Sequence, residues 1–307
     1  MDAAIGPAVR LGSCLVRAGS CSWADRSLVR DGGFYPRRTM TARERLAFYA
    51  QQFSVAEVAT TFRFPPTAQL CEQWVERTPP GFALDIRAWS LLTGCPTLPD
   101  SLWPDLQAAV PPERRDRRRL YAQHLPDDAL EECWARFRHA LQPLVDAGRL
   151  GVVVLRYPSW WGPRPETWAE LDALAGRLPG VRLAVELPED RWLADDPGAT
   201  LEWLERRGLG FVCVDGPACA EGTRPVVAAT ADVAVVRFLG RRQVEGEPWT
   251  WPYRYTEGEL AGWVPAVQEL AGSGSEVHLL LDNCHRGDAV DNARALMDLV
   301  RSARPAA

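Results

Sequence analysis

The run GVVVL at positions 151–155 decides the fold class of this chain. Consecutive apolar residues rich in valine indicate a strand that is buried on both faces. Such strands occur in parallel sheets, where a helix connects each strand to the next and covers the sheet. The preceding segment is amphipathic, with Asp127 or Asp128 as its cap and Gly148 as its stop, which predicts a helix. The sequence therefore predicts an α/β protein.

The same alternation of strand and helix continues on both sides of this run. A capping box of Thr41 and Glu44 predicts the start of the first helix. Eight strands separated mostly by helices favour an irregular (β/α)8 TIM-type barrel, because an open doubly wound sheet would need a phosphate-binding glycine fingerprint that the sequence lacks. The predicted strands lie near positions 15–19, 55–60, 83–88, 151–155, 182–187, 210–215, 233–239 and 276–283.

The chain of 307 residues has the length of one barrel domain, and we predict a single domain over 1–307. The segment at about 89–126 is rich in proline and too long for an ordinary loop. We predict that it is an insertion after the third strand that lies over the barrel mouth.

The composition excludes several kinds of chemistry. All 35 basic residues are Arg, so Schiff-base catalysis, pyridoxal phosphate anchoring and a P-loop, which need a lysine, cannot operate. The net charge of −5 argues against bulk binding to nucleic acid or anionic membrane. We find no apolar run that could span a bilayer and no signal peptide, so we expect a cytoplasmic protein with reduced cysteines.

Polar residues at the predicted strand ends define the candidate site, because the carboxyl ends of barrel strands share one face. Glu57, Glu186 and Asp215 are candidate acid–base residues. The candidate ligand-binding residues are Arg87, Arg156, Arg237, Arg241, Asp282, Asn283 and Trp23. Arginine forks suit phosphate or carboxylate, so the expected partner is a small anionic ligand or nucleic acid. The alternative is a buried network of ion pairs that closes this end of the barrel.

Other residues carry weaker signals. Cys21, Cys95, Cys219 and Cys284 follow predicted strands, but they lack the paired short spacings of zinc sites, so we predict no metal and no cofactor. We interpret His278 as a structural histidine. The pairs Trp160-Trp161 and Trp249/Trp251 should lie near the mouth, where they either stack on bases or sugars or pack beneath loops. The arginine-rich run 113–119 (ERRDRRR) is either a phosphate-contacting patch or a solvated helical face.

Several stretches along nearly the whole chain resemble the YecE-like family, the domain of unknown function numbered 72. They are Gly19 to Trp23 (GSCSW), Phe34-Tyr35-Pro36, positions 45–61, Thr93 with Cys95-Pro96, Ala184-Val185-Glu186, Val235-Val236-Arg237 with Gly240-Arg241, Asp282-Asn283 and Asn292-Ala293. The resemblance implies an irregular barrel that is distantly similar to the endonuclease IV and xylose isomerase group. It implies no established reaction.

The chain departs from the family pattern at the mouth, as a divergent member would. Arg87 stands where the family has lysine, Cys95 and Leu239 stand where it has histidine, and Asp282 replaces the first of two paired asparagines. Glutamate 57 is followed by Val58-Ala59 in place of the family's Glu-x-Asn.

Three hypotheses about function follow from these residues. The first is an enzyme or binding protein for a phosphorylated or nucleic-acid-like anionic ligand at the carboxyl-end face. The second is a catalytically decayed binding or scaffold barrel. The third, implied by the resemblance, is a metal-dependent hydrolase related to the endonuclease IV group. The sequence leaves open whether the protein is an enzyme, what its substrate is and which oligomer it forms.

Overall fold

The fold is an α/β fold built on one curled, nine-stranded sheet. A computed structural model describes residues 5–31, 33–221, 225–242, 252–283 and 285–303. The strands are β1 Val9–Leu11, β2 Cys14–Ser20, β3 Val55–Val58, β4 Ala83–Arg87, β5 Leu150–Arg156, β6 Leu183–Glu186, β7 Gly210–Asp215, β8 Val233–Phe238 and β9 Glu276–Leu281. All eight predicted strands are confirmed, most of them with ends shifted by one or two residues. The short strand β1 was not predicted.

The strand order is β1-β2-β9-β8-β7-β6-β5-β4-β3, and every neighbouring pair is parallel except β1 with β2. The order follows the chain from β3 to β9 and then returns to β2, as in a barrel. No ladder of backbone hydrogen bonds joins β2 to β3 within the described chain. The described sheet is therefore curled, and it has an open seam between β2 and β3, where the predicted irregular barrel would close.

Strands β2 and β3 nevertheless come very close at the seam. A Cβ atom added to Gly19 would lie 2.0 Å from the carbonyl oxygen of Val55, so only glycine fits there. The hydroxyl of Tyr49 bridges the two strands: it accepts a hydrogen bond from the N–H of Ser20 at 2.6 Å and lies 3.5 Å from the carbonyl of Val55. A side chain thus takes the place of the missing ladder.

Helices follow most strands and cover the outside of the sheet. They are α1 Arg26–Asp31, α2 Ala42–Gln52, α3 Ala68–Arg77, α4 Pro104–Ala109, α5 Pro112–Arg115, α6 Asp127–Asp146, α7 Pro165–Asp172, α8 Leu174–Arg177, α9 Glu189–Trp192, α10 Pro197–Glu205, α11 Glu257–Ala261, α12 Val264–Ser273 and α13 Asp288–Ser302. The capping box of Thr41 and Glu44 at the start of α2 is confirmed. In the described part of the chain, no helix has both the length and the apolar character that a bilayer span requires.

The predicted insertion between β4 and α6 consists of short helices, α4, α5 and the 3-10 turns Ser90–Thr93, Pro99–Ser101 and Ala122–His124. A single antiparallel bridge between Thr97 and Leu120 joins its two ends. Trp89 is fully buried, lies edge-on to Trp103 and donates a hydrogen bond to Ser101. These contacts join parts of the segment to one another directly after the end of β4.

Candidate functional site

Six charged side chains at the carboxyl ends of the strands form one continuous series of ion pairs. Arg87 and Arg156 end β4 and β5, Glu186 ends β6, Arg237 is the penultimate residue of β8, Glu57 is the third residue of β3, and Asp282 directly follows β9. The pairs run in the order Arg156, Glu186, Arg237, Glu57, Arg87, Asp282, and we call this series the ion-pair chain. Three guanidinium groups balance three carboxylates, so the ion-pair chain is neutral as a whole.

The centre of the ion-pair chain is fully buried. Arg237 and Glu57 have no solvent-exposed side-chain surface, and Arg237 holds both Glu57 and Glu186, the latter at 2.6 Å. Both oxygens of Glu57 are paired, one with Arg87 and the other with Arg237. The thiol of Cys21 also donates to Glu57, at 3.4 Å. Buried charges need such pairing because their transfer from water is costly, and only the buried Nε of Arg237 has no partner in this group among the described residues.

Arginine neighbours keep two acids of the ion-pair chain, Glu186 and Asp282, ionised. Burial opposes ionisation of Glu186, but Arg237, Arg156 and Arg87 outweigh it and lower the pKa of this carboxyl. Burial likewise opposes ionisation of Asp282, and Arg87 and Arg237 lower its pKa. In contrast, burial and the charges of Asp282 and Glu57 raise the pKa of Cys21 well above its ordinary value. Cys21 is therefore a neutral thiol.

Asp215 belongs to a separate cluster. Its carboxylate accepts two hydrogen bonds from Arg241, at 3.0 and 2.7 Å, one from the hydroxyl of Tyr255 at 3.0 Å and one from the indole of Trp263 at 2.6 Å. Arg241 also pairs with Glu259 at 3.4 Å. These contacts fasten the start of the β8–β9 connection to β7, and they leave Asp215 little freedom to act as a base.

Asn283 and Trp23 also take structural positions. The buried amide of Asn283 donates to the carbonyl of Tyr253 at 2.8 Å and to Asn292 at 2.9 Å. Trp23 is buried in the hydrophobic core and lies edge-on to Trp74 of α3. The structure therefore places Trp23 beside α3 and outside the mouth cavity described below.

A cavity of about 720 Å³ opens at the carboxyl ends of β3, β4 and β5. Its wall includes Arg156 from the ion-pair chain, Arg119 from the arginine-rich run, and Arg63, and it contains no carboxylate among the described residues. The remaining lining residues are Phe62, Ser90, Cys95, Pro96, Leu98, Tyr157, Pro158, Ser159 and Trp160. We call this space the mouth cavity.

Arg156 connects the ion-pair chain to the mouth cavity. Its Nε lies 3.0 Å from Glu186, and its side chain is 36% exposed. Within the described residues, its two terminal nitrogens have no hydrogen-bond partner. The ion-pair chain therefore ends in the guanidinium of Arg156, which lines a cavity whose other charged lining residues are also arginines.

Aromatic rings form another part of the cavity wall. Trp160 is 52% exposed, whereas Trp161 is buried and stacks on Tyr157 with ring centres 3.8 Å apart. The sequence predicts that both tryptophans lie near the mouth. In the structure, Trp160 lines the mouth cavity and Trp161 does not. Trp249 and Trp251 lie outside the described residues.

The cysteines do not converge on one point in the described structure. Cys21 contacts Glu57, Cys95 contacts the carbonyl of Arg156 at 3.6 Å, and Cys219 follows β7 near Asp215. No group of three metal-binding side chains occurs among the described residues, and Cys284 lies outside them.

Glu189, the first residue of α9, is a buried acid near the site that was not among the predicted site residues. Burial and the charge of Glu186 raise the pKa of Glu189 to about 7. The only sequence signal for it is its position, three residues after the strand-terminal Glu186 and therefore at the same edge of the sheet.

The fold and the site define a class of α/β protein, in which a curled, mostly parallel sheet gathers charged side chains at the carboxyl ends of its strands. The chain belongs to the family described as "Protein of unknown function DUF72", whose sequence model matches residues 17–307. This confirms the family resemblance seen in the sequence.

Similar proteins cover almost the whole chain. It is 24% identical over 298 residues to the UPF0759 protein YunF of Bacillus subtilis (strain 168), a match to 93% of this chain and 95% of that protein. A solved DUF72 family protein from Enterococcus faecalis V583 is 20% identical with a TM-score of 0.70, over 93% of this chain and 97% of that one. Another from Thermotoga maritima MSB8 is 24% identical with the same TM-score, over 93% and 98%. These structures support the fold.

Proposed function

We propose that the protein binds a phosphorylated or nucleic-acid-like anionic ligand in the mouth cavity. The observation that carries the proposal is the free end of the ion-pair chain, where the partly exposed Arg156 lines a cavity that also contains Arg63 and Arg119 and no described carboxylate. Guanidinium forks match the oxygens of phosphate groups, and charge-assisted hydrogen bonds of this kind are strong. Arg87 and Arg237 are already neutralised by acids, so they position the ligand-binding end and do not contact the ligand.

Exposed aromatic surface supports a ligand with a flat ring. Trp160 and Phe62 line the same cavity as the arginines, and aromatic faces stack on bases or sugars without sequence preference. The volume of about 720 Å³ is in the range of small-molecule sites. We therefore favour a ligand of nucleotide size over a long nucleic acid.

We also propose an architecture for the fold and a cellular compartment for the protein. We interpret the curled sheet as an irregular (β/α)8 barrel whose β2–β3 seam is bridged by Tyr49. We also place the protein in the cytoplasm, where its thiols, seven of which the structure describes as free, would stay reduced.

Thermal unfolding tests the anion site. Inorganic phosphate, a nucleoside monophosphate and a short oligonucleotide should each raise the Tm of the wild-type protein. The variant Arg156→Ala should bind about 10–100-fold more weakly, because a hydrogen bond to a charged group contributes roughly 1.5–3 kcal/mol. Arg206→Ala is the matched control, since Arg206 is exposed on the surface directly after α10 and is not one of the lining residues. Equal binding by both variants would reject the site.

A non-catalytic binding barrel is the second candidate function. It is favoured by one observation: both oxygens of Glu57 and both oxygens of Glu186 are held by arginines, so neither acid is free to take a proton. Turnover of any phosphorylated compound that is lost in Glu186→Gln would exclude this candidate. Ligand binding without turnover would support it.

A further inference from the structure

A second cavity, of about 620 Å³, adjoins the mouth cavity. Its wall is formed by Leu98, Pro99, Asp100, Arg118 and Arg119, and we call it the side cavity. Two of these residues, Leu98 and Arg119, also line the mouth cavity, so the two spaces share part of their wall. A ligand in the mouth cavity can therefore extend past this shared wall and still contact the protein.

The shared wall is fixed to the fold by a short antiparallel bridge. Thr97 and Leu120 exchange two backbone hydrogen bonds, of 2.8 and 2.9 Å, and both side chains are buried. Leu98 and Arg119 are the next residues along the two bridged segments. Because side chains alternate along paired extended segments, Leu98 and Arg119 point away from the buried pair. The bridge thus presents Arg119 at the boundary between the two cavities.

The arginines of the side cavity carry charges that the protein does not neutralise. Arg118 and Arg119 are exposed, and neither forms an ion pair within the described residues. Asp100, the one acid that lines the side cavity in the described structure, is not ion-paired either. Two guanidinium groups and one carboxylate leave this wall with a net positive charge, which suits a phosphate group.

We propose that the ligand is a nucleotide with two separated phosphate groups, of which the mouth cavity binds one and the side cavity binds the other. Arg156 contacts the first phosphate and Arg118 the second, and Arg119 lines both cavities. The phosphates must be separated because the wall of Leu98 and Arg119 stands between the two spaces. The inference rests on the proposed anion site and adds to it the chemical class of the ligand.

Isothermal titration calorimetry tests the inference with three probes: adenosine 5′-monophosphate, adenosine 3′,5′-bisphosphate and the 5′-phosphorylated dinucleotide of adenosine. The wild-type protein should bind at least one of the two-phosphate probes about 3–10-fold more tightly than the monophosphate, a modest gain because solvent and salt weaken contacts of exposed arginines. The variant Arg118→Ala should remove this gain.

Arg117→Ala is the matched control. Arg117 is exposed and adjacent to Arg118, but it lines neither cavity. This variant loses the same charge and should retain the preference for two phosphates. Asp100→Asn tests the opposite sign, because the loss of its negative charge should strengthen binding of the second phosphate. All three substitutions are at exposed positions, so we expect the variants to fold.

The outcomes separate this inference from the proposed function. Monophosphate binding without a gain from either two-phosphate probe overturns the side-cavity site and leaves the anion site in place. A gain that Arg118→Ala and Arg117→Ala reduce equally also overturns it, since the gain would then come from the general charge of the segment. If none of the three probes binds, the anion site itself is wrong, and the side-cavity site with it.

Discussion

Arg237 is the residue on which the charged mouth depends. Its guanidinium is fully buried and joins Glu57 of β3 to Glu186 of β6, across the interior of the curled sheet. Its neighbours on the sequence, Val236 and Phe238, are apolar and pack into the core. The alternation of the strand therefore directs one charged side chain inward, where only two acids on distant strands can neutralise it.

Removing this charge should destabilise the protein strongly. Arg237→Met keeps most of the volume but leaves Glu57 and Glu186 with fewer partners in a buried site, which we expect to cost about 3–5 kcal/mol of unfolding free energy. Urea unfolding at pH 7 measures this loss of unfolding free energy. Arg156→Met is the control. Because Arg156 is partly exposed, we expect this variant to lose less than about 1 kcal/mol of unfolding free energy. Equal losses for the two variants would contradict the ion-pair chain as described.

His278 lies in a second buried cluster, inside the sheet and nearer its amino end. Its Nδ1 is 2.8 Å from Asp85 of β4, and its Nε2 is 2.9 Å from Glu276, which also pairs with Arg17 and Arg182. A neutral imidazole has one N–H donor and cannot satisfy both carboxylates. Burial opposes the charge, but Asp85 and Glu276 outweigh it and raise the pKa of His278.

This geometry gives a pH dependence of stability. The pKa of His278 in the folded protein exceeds its unfolded value of about 6.5. The stabilisation that the charged imidazole gives the folded state is therefore complete below about pH 6.5, and it is lost as pH rises through the folded pKa. We expect the stability gap between the wild type and His278→Gln, measured by urea unfolding, to shrink as pH increases above about 6.5. A gap that stays constant or widens up to pH 9 would show that His278 is not held as the imidazolium.

At the scale of the elements, the seam between β2 and β3 determines how far the sheet curls. Glycine 19 allows the backbones to approach, and Tyr49 of α2 bridges them through its hydroxyl. Neither contact could be predicted from the sequence, because each joins segments whose separation depends on the curvature of the whole sheet. The short strand β1 was missed for a similar reason, since three residues carry too little pattern to identify a strand.

Gly19→Ala tests the seam. The added methyl group would meet the Val55 carbonyl, so the strands must separate, which we expect to cost about 1–3 kcal/mol. Gly176→Ala is the control, because its Cβ meets no atom within 4 Å and helix α8 favours alanine. Urea unfolding compares the two. A Gly19→Ala protein as stable as the wild type would mean that the seam is looser than described.

For the whole molecule, the valine-rich strands and capped helices made the α/β class and the eight strands predictable from local pattern. The charged residues at the strand ends were also predictable, because parallel strands end at one edge. Their pairing was not predictable: Glu57 and Arg237 are 180 positions apart, and only the curl of the sheet brings them together. Glu189 was missed because its state depends on burial and on the charge of Glu186.

The proposed function requires that the free end of the ion-pair chain, at Arg156, binds an anion. Crystals soaked in tungstate, a tetrahedral oxyanion with a strong anomalous signal, test it directly. We predict an anomalous peak in the mouth cavity whose oxygens lie about 2.7–3.2 Å from the terminal nitrogens of Arg156. Tungstate bound elsewhere on the protein, with the mouth cavity free of any peak, would contradict the account.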